Sequence, residues 1–339
     1  VASQPMAERE SAGIAREIKL YDQKPISNAK VFFIAGFLLM LVSWARPSSL
    51  FGKLTATGGL WFGIFGTFAL IYGMMLRSQI RGWAWVTNLY ETFLFIALGG
   101  FIFGVLFEFF SKRKNRIAIS VGLFLPALCL LLAGQFEKLD PSDTLPPLVA
   151  VLRSNFWLTT HVLTITLGYA AGLLASFVSM IWIFGKIFRL NTDDKRTYRD
   201  ITQMAYGIIL FSLLFSLIGT VLGGIWANYS WGRFWGWDPK ENGALMIVLW
   251  TLLILHARLG GYIRDLGIHA CSIVLGTIIG FSWFGVNALG VGLHSYGFAA
   301  GIWQALCVFW GVQGVFLLGA IWLKVREHLP QRTEARVQA

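Results

Sequence analysis

Charge and cysteine are both scarce in this chain, and each shortage argues against a class of protein. Charged residues make up 13% of the 339 positions, whereas apolar residues make up 56%. A soluble domain of this length does not need so much apolar surface, so the composition predicts a protein embedded in a lipid bilayer. The three cysteines, Cys129, Cys271 and Cys307, stand apart and form no Cys-x-x-Cys pair. We therefore expect buried, inert thiols rather than thiol–disulfide exchange.

The sequence also lacks a recognisable cleavable signal peptide, because its first 28 residues are polar and mixed in charge. The net charge of +11 is divided among short clusters between apolar runs. This distribution is typical of membrane topology and of contact with lipid headgroups, not of nucleic-acid binding. The expected surroundings are the lipid bilayer, and no nucleic-acid partner is expected.

Long apolar runs dominate the rest of the chain, and about 20 such residues cross the hydrocarbon as a helix. The candidate spans lie near 31–46, 58–76, 92–110, 116–134, 155–187, 202–226, 243–260, 268–290 and 300–323. The first run is the shortest, so about eight or nine membrane helices are expected. We predict an all-α polytopic membrane protein with a polar N-terminal segment (1–30), one transmembrane domain (31–324) and a basic cytoplasmic tail (325–339).

Basic clusters occupy alternate connections between these runs. They lie near 112–116, 186–199, 258–264 and 324–336. Such clusters remain on the cytoplasmic side of a membrane. The intervening connections, 135–154, 227–242 and 291–299, are therefore predicted to be extracytoplasmic.

One of these outer connections belongs to a tryptophan-rich segment (223–242), which holds six aromatic residues between Trp226 and Trp237. Tryptophan and tyrosine collect at membrane boundaries, so the segment is either an interfacial belt or a flat platform for a ligand. Asp238 directly precedes an apolar run and fits the N-cap of a helix, with Pro239 at N1 and Glu241 at N3. Capping is sufficient to explain both carboxylates, and a direct catalytic role for Asp238 is the less favoured alternative.

Three of the five histidines lie where an ionisable side chain is costly and therefore indicates function. His161 lies about 9 Å below the outer end of its span, at 1.5 Å per residue. His294 lies at the outer end of the eighth span. His256 lies about 20 Å from the outer face and hence in the inner leaflet. Of the others, His269 is expected at a span boundary, and His328 is expected to be solvated in the tail.

The two outer histidines can ligate the iron of a porphyrin from both faces. A zinc site would need a third ligand, and none is placed nearby in the sequence. For each histidine taken singly, a hydrogen bond to a neighbouring carbonyl is the alternative interpretation. Arg233, and more weakly Lys240, are candidate partners for the anionic propionates of a porphyrin.

The run from Trp231 to Glu241 (WGRFWGWDPKE) resembles the WWD signature of the haem-handling protein superfamily. A wider set of residues resembles its CcsA (ResC) branch, the cytochrome c biogenesis proteins of System II. The signature alone would leave the System I relatives CcmC and CcmF open. The supporting matches are Trp157 with His161, Leu255-His256-Ala257-Arg258, Phe284 to Gly297, and Arg77 to Glu91.

The resemblance implies that the chain carries haem b across the membrane and presents it to an apocytochrome c bearing Cys-x-x-Cys-His. It implies cytochrome c synthase activity together with a CcsB (ResB)-like membrane subunit, and thiol-reducing proteins as further partners. The implied location is the bacterial inner membrane or the plastid thylakoid membrane, with the WWD segment extracytoplasmic. A haem exporter without synthase activity and an unrelated proton-coupled transporter remain the alternatives.

The same resemblance assigns the site residues. His161 and His294 match the external haem ligands, and His256 matches the intramembrane ligand. The other matching residues of the haem-binding segment are Trp231, Trp235, Trp237, Asp238 and Arg233. The sequence departs from the family in two ways: Trp85 replaces a usual proline, and no histidine lies in the first four spans. His256 therefore has no evident axial partner within this chain.

Overall fold

The computed structural model describes residues 6–82, 84–111, 115–139, 145, 155–190, 194–294 and 301–337. Within these ranges the secondary structure is helical, as the sequence predicts. The elements are α1 (Met6–Gln23), α2 (Pro25–Ala45), α3 (Leu50–Arg81), α4 (Leu89–Phe110), α5 (Ile117–Leu139), α6 (Asn155–Ile187), α7 (Lys195–Trp231), α8 (Pro239–Leu259), α9 (Asp265–Gly280), a π-helical turn (Phe281–Gly285), α10 (Val286–Ala288) and α11 (Ile302–Val337).

Nine helical stretches in the described part of the chain are long and apolar enough to cross a membrane, which confirms the predicted number. The first stretch covers Ser11–Ala45 and extends well beyond the short apolar run near 31–46. It changes direction at Lys24, which has a positive φ of 46° and is followed by Pro25 at the start of α2. The polar N-terminal segment is thus helical over Met6–Gln23.

Helix α6 lies at the centre of the bundle, where it packs against α4, α5, α7, α9 and α11. Small and branched residues allow this, since Ala170, Ala171, Ala175 and Val178 are all fully buried along it. Small side chains bring membrane helices close together when no hydrophobic force drives them. The central position of α6 places its first turns, which carry His161, among neighbouring helix ends.

His269 corrects one expectation from the sequence, because it lies near the start of its span as predicted but is fully buried rather than interfacial. Its Nε2 lies 3.0 Å from Thr202 Oγ1 on α7, and its Nδ1 lies 2.9 Å from Ser179 Oγ on α6. The ring also stacks on Trp182 at 4.3 Å between centroids. His269 therefore joins three helices in the core, and a buried polar group with both nitrogens bonded is stable there.

The cysteines confirm the predicted burial only in part. Cys129 is buried, Cys271 is half-buried and Cys307 is exposed, and all three are free thiols. The exposed thiol lies on α11, most of whose apolar residues face away from the bundle. A helix that is apolar all round and packed on one side only leaves such residues to the lipid.

Glu91 fastens the connection between α3 and α4. Its carboxylate pairs with Arg77 Nε at 3.2 Å and with Arg81 Nη1 at 3.1 Å, and the glutamate is 3% exposed. It also accepts the backbone N–H of Thr87 at 2.9 Å. Two cations and one carboxylate thus hold residues 84–88 against the end of the bundle where α6 begins.

Replacing Glu91 by glutamine should destabilise the protein by about 3–5 kcal/mol, because it removes the negative charge that compensates two buried guanidinium groups. The measurement is the unfolding free energy of the detergent-purified protein. Asp265→Asn is the matched control, since Asp265 and Arg258 pair at 3.4 Å with 47% and 37% of their side chains exposed. Such exposed pairs contribute about 0–1 kcal/mol. Equal losses in the two variants would contradict the role given to Glu91.

Candidate functional site

A cleft opens at the end of the bundle where α6 begins, α7 ends and α8 begins. Its empty space, including the mouth, is about 1090 Å³. The walls are mostly apolar, and a small number of polar side chains reach into them. Among the lining residues are His161, His294, Trp226, Trp235, Trp283, Lys240, Glu241 and Asn287. A mostly apolar cleft with few convergent polar groups is the usual form of a small-molecule site.

His161 enters the cleft from the second turn of α6. Its Nδ1 lies 2.7 Å from the carbonyl oxygen of Gly219 on α7. Since a carbonyl only accepts hydrogen bonds, Nδ1 carries the proton and Nε2 keeps its lone pair. A bond of this kind orients an imidazole for metal ligation by its other nitrogen.

Gly223 makes room for this imidazole. A Cβ at position 223 would lie 2.6 Å from Cε1 and 2.8 Å from Nδ1 of His161. Any larger residue would displace the ring from its place between α6 and α7. The glycine therefore shapes the cleft, and its place at the start of the Trp-rich segment is the sequence signal for it.

His294 stands across the cleft, on the segment that follows α10. Its Nδ1 lies 3.2 Å from Oδ1 of Asp238, and the side chain is 13% exposed. A carboxylate only accepts hydrogen bonds, so a proton on Nδ1 faces Asp238 and the lone pair of the neutral ring lies on Nε2. The ring also contacts Trp231 edge-on, with centroids 4.8 Å apart.

The Trp226 indole adjoins both imidazoles. Its ring stacks on His161 with centroids 6.3 Å apart and lies 6.0 Å from His294 at a steeper angle. Trp226 is 1% exposed, and its Nε1 has no hydrogen-bond acceptor in the described part of the chain. A buried donor left without an acceptor is costly, so this arrangement indicates a ligand with a polar group.

Asp238 confirms the predicted helix cap and does more than capping requires. Its Oδ1 accepts the backbone N–H of Lys240 at 2.9 Å, and Glu241 accepts the backbone N–H of Asp238 at 3.0 Å. The two residues thereby form a capping box at the start of α8. Its Oδ2 also accepts the backbone N–H of Leu293 at 2.6 Å, which fixes the segment that carries His294.

Gly292 permits the close approach of that segment. Its φ is +91°, and a Cβ there would lie 2.2 Å from Oδ2 of Asp238. Only glycine meets both conditions, since other residues are strained at this φ and would strike the carboxylate. The glycine and the carboxylate therefore position His294 together.

Asp238 is ionised at neutral pH. Burial opposes its ionisation, but the hydrogen bonds from His294 and from the backbone N–H groups of Lys240 and Leu293 outweigh burial. Together they lower the pKa of Asp238 from its ordinary value of 3.8 to about 2. The carboxylate is therefore available as a charged partner for His294 over the physiological range.

The three tryptophans expected to contact a porphyrin occupy different positions. Trp235 lines the cleft. Trp231 packs against Trp226 at 4.7 Å between centroids and supports His294. Trp237 is 69% exposed and has a positive φ of 58°.

Arg233 is engaged within the WWD segment. Its Nη1 pairs with Oε1 of Glu241 at 3.1 Å, and its guanidinium lies 5.9 Å from the Trp231 ring centroid. Lys240, which the sequence favoured less, is the cation that lines the cleft. Its Nζ donates to the carbonyl of Trp283 at 2.8 Å and lies 3.4 Å from Oδ1 of Asn287. The sequence analysis placed Trp226 and Asn287 within longer motifs but predicted neither of them, nor Trp283, as a site residue.

His256 is far from the other two histidines. It lies 18 residues beyond Asp238, which corresponds to about 27 Å along α8 at 1.5 Å per residue. The side chain is exposed, and its Nδ1 lies 2.8 Å from the carbonyl of Leu252 one turn earlier. It points away from the buried face of α8, which includes Thr251 and Ile254. The structure therefore brings His161 and His294 together and leaves His256 apart.

The fold and the site define an all-helical polytopic membrane protein with two imidazoles in a tryptophan-lined cleft. Residues 86–298 match the family described as cytochrome C assembly protein. This range contains the cleft and every site residue predicted from the sequence. The chain belongs to that family, and its role lies in cytochrome c biogenesis and haem handling.

Individual relatives agree with this assignment. The chain is 34% identical over 233 residues to protein NrfI of Wolinella succinogenes. This alignment covers 66% of this chain and 24% of NrfI. It is 32% identical over 276 residues to the cytochrome c biogenesis protein CcsA of Gossypium barbadense, covering 69% of this chain and 84% of that protein. The chain thus spans a quarter of NrfI but most of CcsA.

The fold is also similar to that of a solved structure, cytochrome c haem lyase CcmF. The TM-score is 0.56 at 15% sequence identity, and the match covers 93% of this chain and 51% of CcmF. At this identity the likeness concerns the fold alone. The shared arrangement of helices covers more of this chain than residues 86–298, which match the family.

Asp238→Asn should destabilise the protein at neutral pH, because asparagine retains the helix cap but loses the charge beside His294. A carboxylate with a lowered pKa contributes stability above its ordinary pKa and loses that contribution as the pH falls through its folded value. The difference between wild type and variant should therefore be constant from pH 7 to about 4 and shrink towards pH 2. Thermal unfolding in detergent across this range measures it. A difference that persists unchanged at pH 2 would contradict the role of the charge.

Proposed function

We propose that this chain carries haem across the membrane and presents it to apocytochrome c for covalent thioether attachment, as the haem-handling part of a System II cytochrome c synthase. The supporting observation is the pair of imidazoles at one cleft, each with Nδ1 next to an oxygen atom of the protein. This orientation places the proton of each neutral ring on Nδ1 and the lone pair that iron would use on Nε2. Haem is the substrate here, and bis-imidazole ligation tunes the potential of its iron.

The chain's own residues supply position rather than acid–base chemistry in this proposal. His161 and His294 hold the iron, while Trp235 and Trp226 offer aromatic surface beside the porphyrin. Each cysteine thiol of a Cys-x-x-Cys-His apocytochrome adds its S–H across one vinyl group. A C–S bond forms at one carbon of the vinyl group, the hydrogen is added to the other carbon, and no oxidant is consumed. The histidine of the apocytochrome then replaces one imidazole, which favours release.

His256 is proposed as the earlier station of the same haem. Its exposure on the side of α8 that faces away from the bundle supports an axial partner supplied by another chain, such as a CcsB (ResB)-like subunit. The haem would then move outward by about the length of α8, roughly 27 Å. We place this subunit, thiol-reducing proteins and the apocytochrome among the partners.

The proposed orientation directs the cleft away from the cytoplasm. The basic residues Lys186, Lys195, Arg258 and Arg264 lie at the ends of helices opposite to the cleft, and Lys324 lies near the end of the last membrane span. Basic connections of this kind remain on the cytoplasmic side. The proposed location is the bacterial inner membrane or the plastid thylakoid membrane, with the Trp-rich segment on its outer side.

The purified chain should show a Soret band with the spectrum of a bis-histidine haem. His161→Ala together with His294→Ala should remove most of this haem, because the cleft loses both iron ligands. Absorption spectra with a haem-to-protein ratio measure the effect. His328→Ala, which alters only the predicted tail, is the control. Unchanged haem content in the double variant would overturn the assignment of the ligands.

Co-expression separates a synthase from an exporter. The chain and an apocytochrome bearing Cys-x-x-Cys-His should yield covalent haem, detected by haem staining after denaturing electrophoresis, when a CcsB-like partner is present. The His161→Ala, His294→Ala double variant should lose this product, because the haem is no longer held for thiol addition. Haem binding without covalent product in any combination would favour an exporter over the proposed function.

A further inference from the structure

Lys240 brings a positive charge into the cleft from the first turn of α8. The residue is partly buried and lines the cleft together with both imidazoles. An ammonium group has three N–H donors. Two of them face neutral acceptors, the Trp283 carbonyl at 2.8 Å and the Asn287 amide oxygen at 3.4 Å. The third has no acceptor in the described part of the chain.

The nearby carboxylates are already committed to other partners. Glu241 accepts from Arg233 at 3.1 Å, from the backbone N–H of Gly236 at 2.8 Å and from that of Asp238. Asp238 accepts from the backbone of Leu293 and pairs with His294. Neither carboxylate forms a described ion pair with the Lys240 ammonium, so the cleft retains a cation suited to an anionic ligand.

Arg233 is less suited to this task. Its guanidinium is neutralised by Glu241 and lies 5.9 Å from the Trp231 ring centroid, and Arg233 itself is not among the residues that line the cleft. By contrast, the buried Nε1 of Trp226 supplies a second donor without an acceptor at the same cleft. A cation and an unpaired donor at one apolar site together favour a group with several acceptor oxygens.

We propose that Lys240 recognises a carboxylate of the ligand, so that the cleft selects porphyrins with free propionate groups and sets the rotation of the ring. The proposal rests on the proposed function, since it names the contact that orients haem between His161 and His294. A planar ring held only at its iron can turn about the axis through its two ligands. One ion pair at the rim removes that freedom and places the vinyl groups at a defined edge.

The test compares haem with its dimethyl ester, in which both propionates are masked. Each is titrated into detergent-solubilised, haem-stripped protein, and the absorbance of the bis-histidine complex gives the affinity. Wild type should bind haem about ten- to a hundredfold more tightly than the ester, because a charge-assisted hydrogen bond is lost in the ester. Lys240→Met should bind both equally, with its affinity for the ester unchanged.

Matched variants make the result specific. Lys186→Met removes a lysine that lies 4.2 Å from the Tyr198 ring centroid and outside the cleft, so it should discriminate as wild type does. Lys240→Gln keeps a donor for the Trp283 carbonyl and serves if the methionine variant fails to fold. It should also lose the discrimination, because it lacks the charge.

Two outcomes would overturn the proposal while leaving the proposed function intact. One is a Lys240 variant that binds haem with bis-histidine spectra and still prefers it to the ester. The other is loss of the preference in Arg233→Gln, which would move the carboxylate contact to Arg233. Absence of bis-histidine haem from wild type, with either ligand, would instead contradict the proposed function itself.

Discussion

The cleft depends on one carboxylate, that of Asp238, because three parts of the chain converge on it. Its oxygens cap the first turn of α8, accept the backbone N–H of Leu293 and pair with the His294 imidazole. A single group therefore joins the start of one helix to the segment that follows another. The Asp238 carboxylate orients His294. It also caps α8, whose first turn places Lys240 at the cleft.

The cleft also requires hydrogen-bond acceptors for the backbone N–H groups of its non-helical walls. The chain between α7 and α8 is not helical, yet it lies at the end of a membrane bundle, where unpaired N–H groups are costly. Glu241 accepts hydrogen bonds from the backbone N–H groups of Gly236 and Asp238. Glu91 accepts one from the backbone N–H of Thr87, which also lines the cleft. Both glutamates also pair with arginines. Buried carboxylates thus allow irregular backbone to form the walls of the cleft.

Hydropathy predicted the helices well and their ends poorly. A run of about 20 apolar residues has few other structures in a bilayer, so the nine predicted runs correspond to nine long helical stretches within the described ranges. Helix α7 nevertheless covers Lys195–Trp231 rather than 202–226, because charged and aromatic residues continue a helix beyond the hydrocarbon. The burial of His269 was not predicted, because it depends on Thr202 and Ser179 from other helices.

The sequence by itself determined the all-α membrane fold, the cap at Asp238 and the family, because each depends on composition or on residues close together in the chain. Tertiary structure decided where the histidine side chains lie and which groups they contact. His161 is oriented by Gly219, 58 residues away, and His294 by Asp238, 56 residues away, so only helix packing brings these partners together. The fold likewise pairs Arg233 with Glu241 and places Lys240 at the cleft. The two cations differ in position because Arg233 lies in the non-helical segment before α8, whereas Lys240 lies in the first turn of α8.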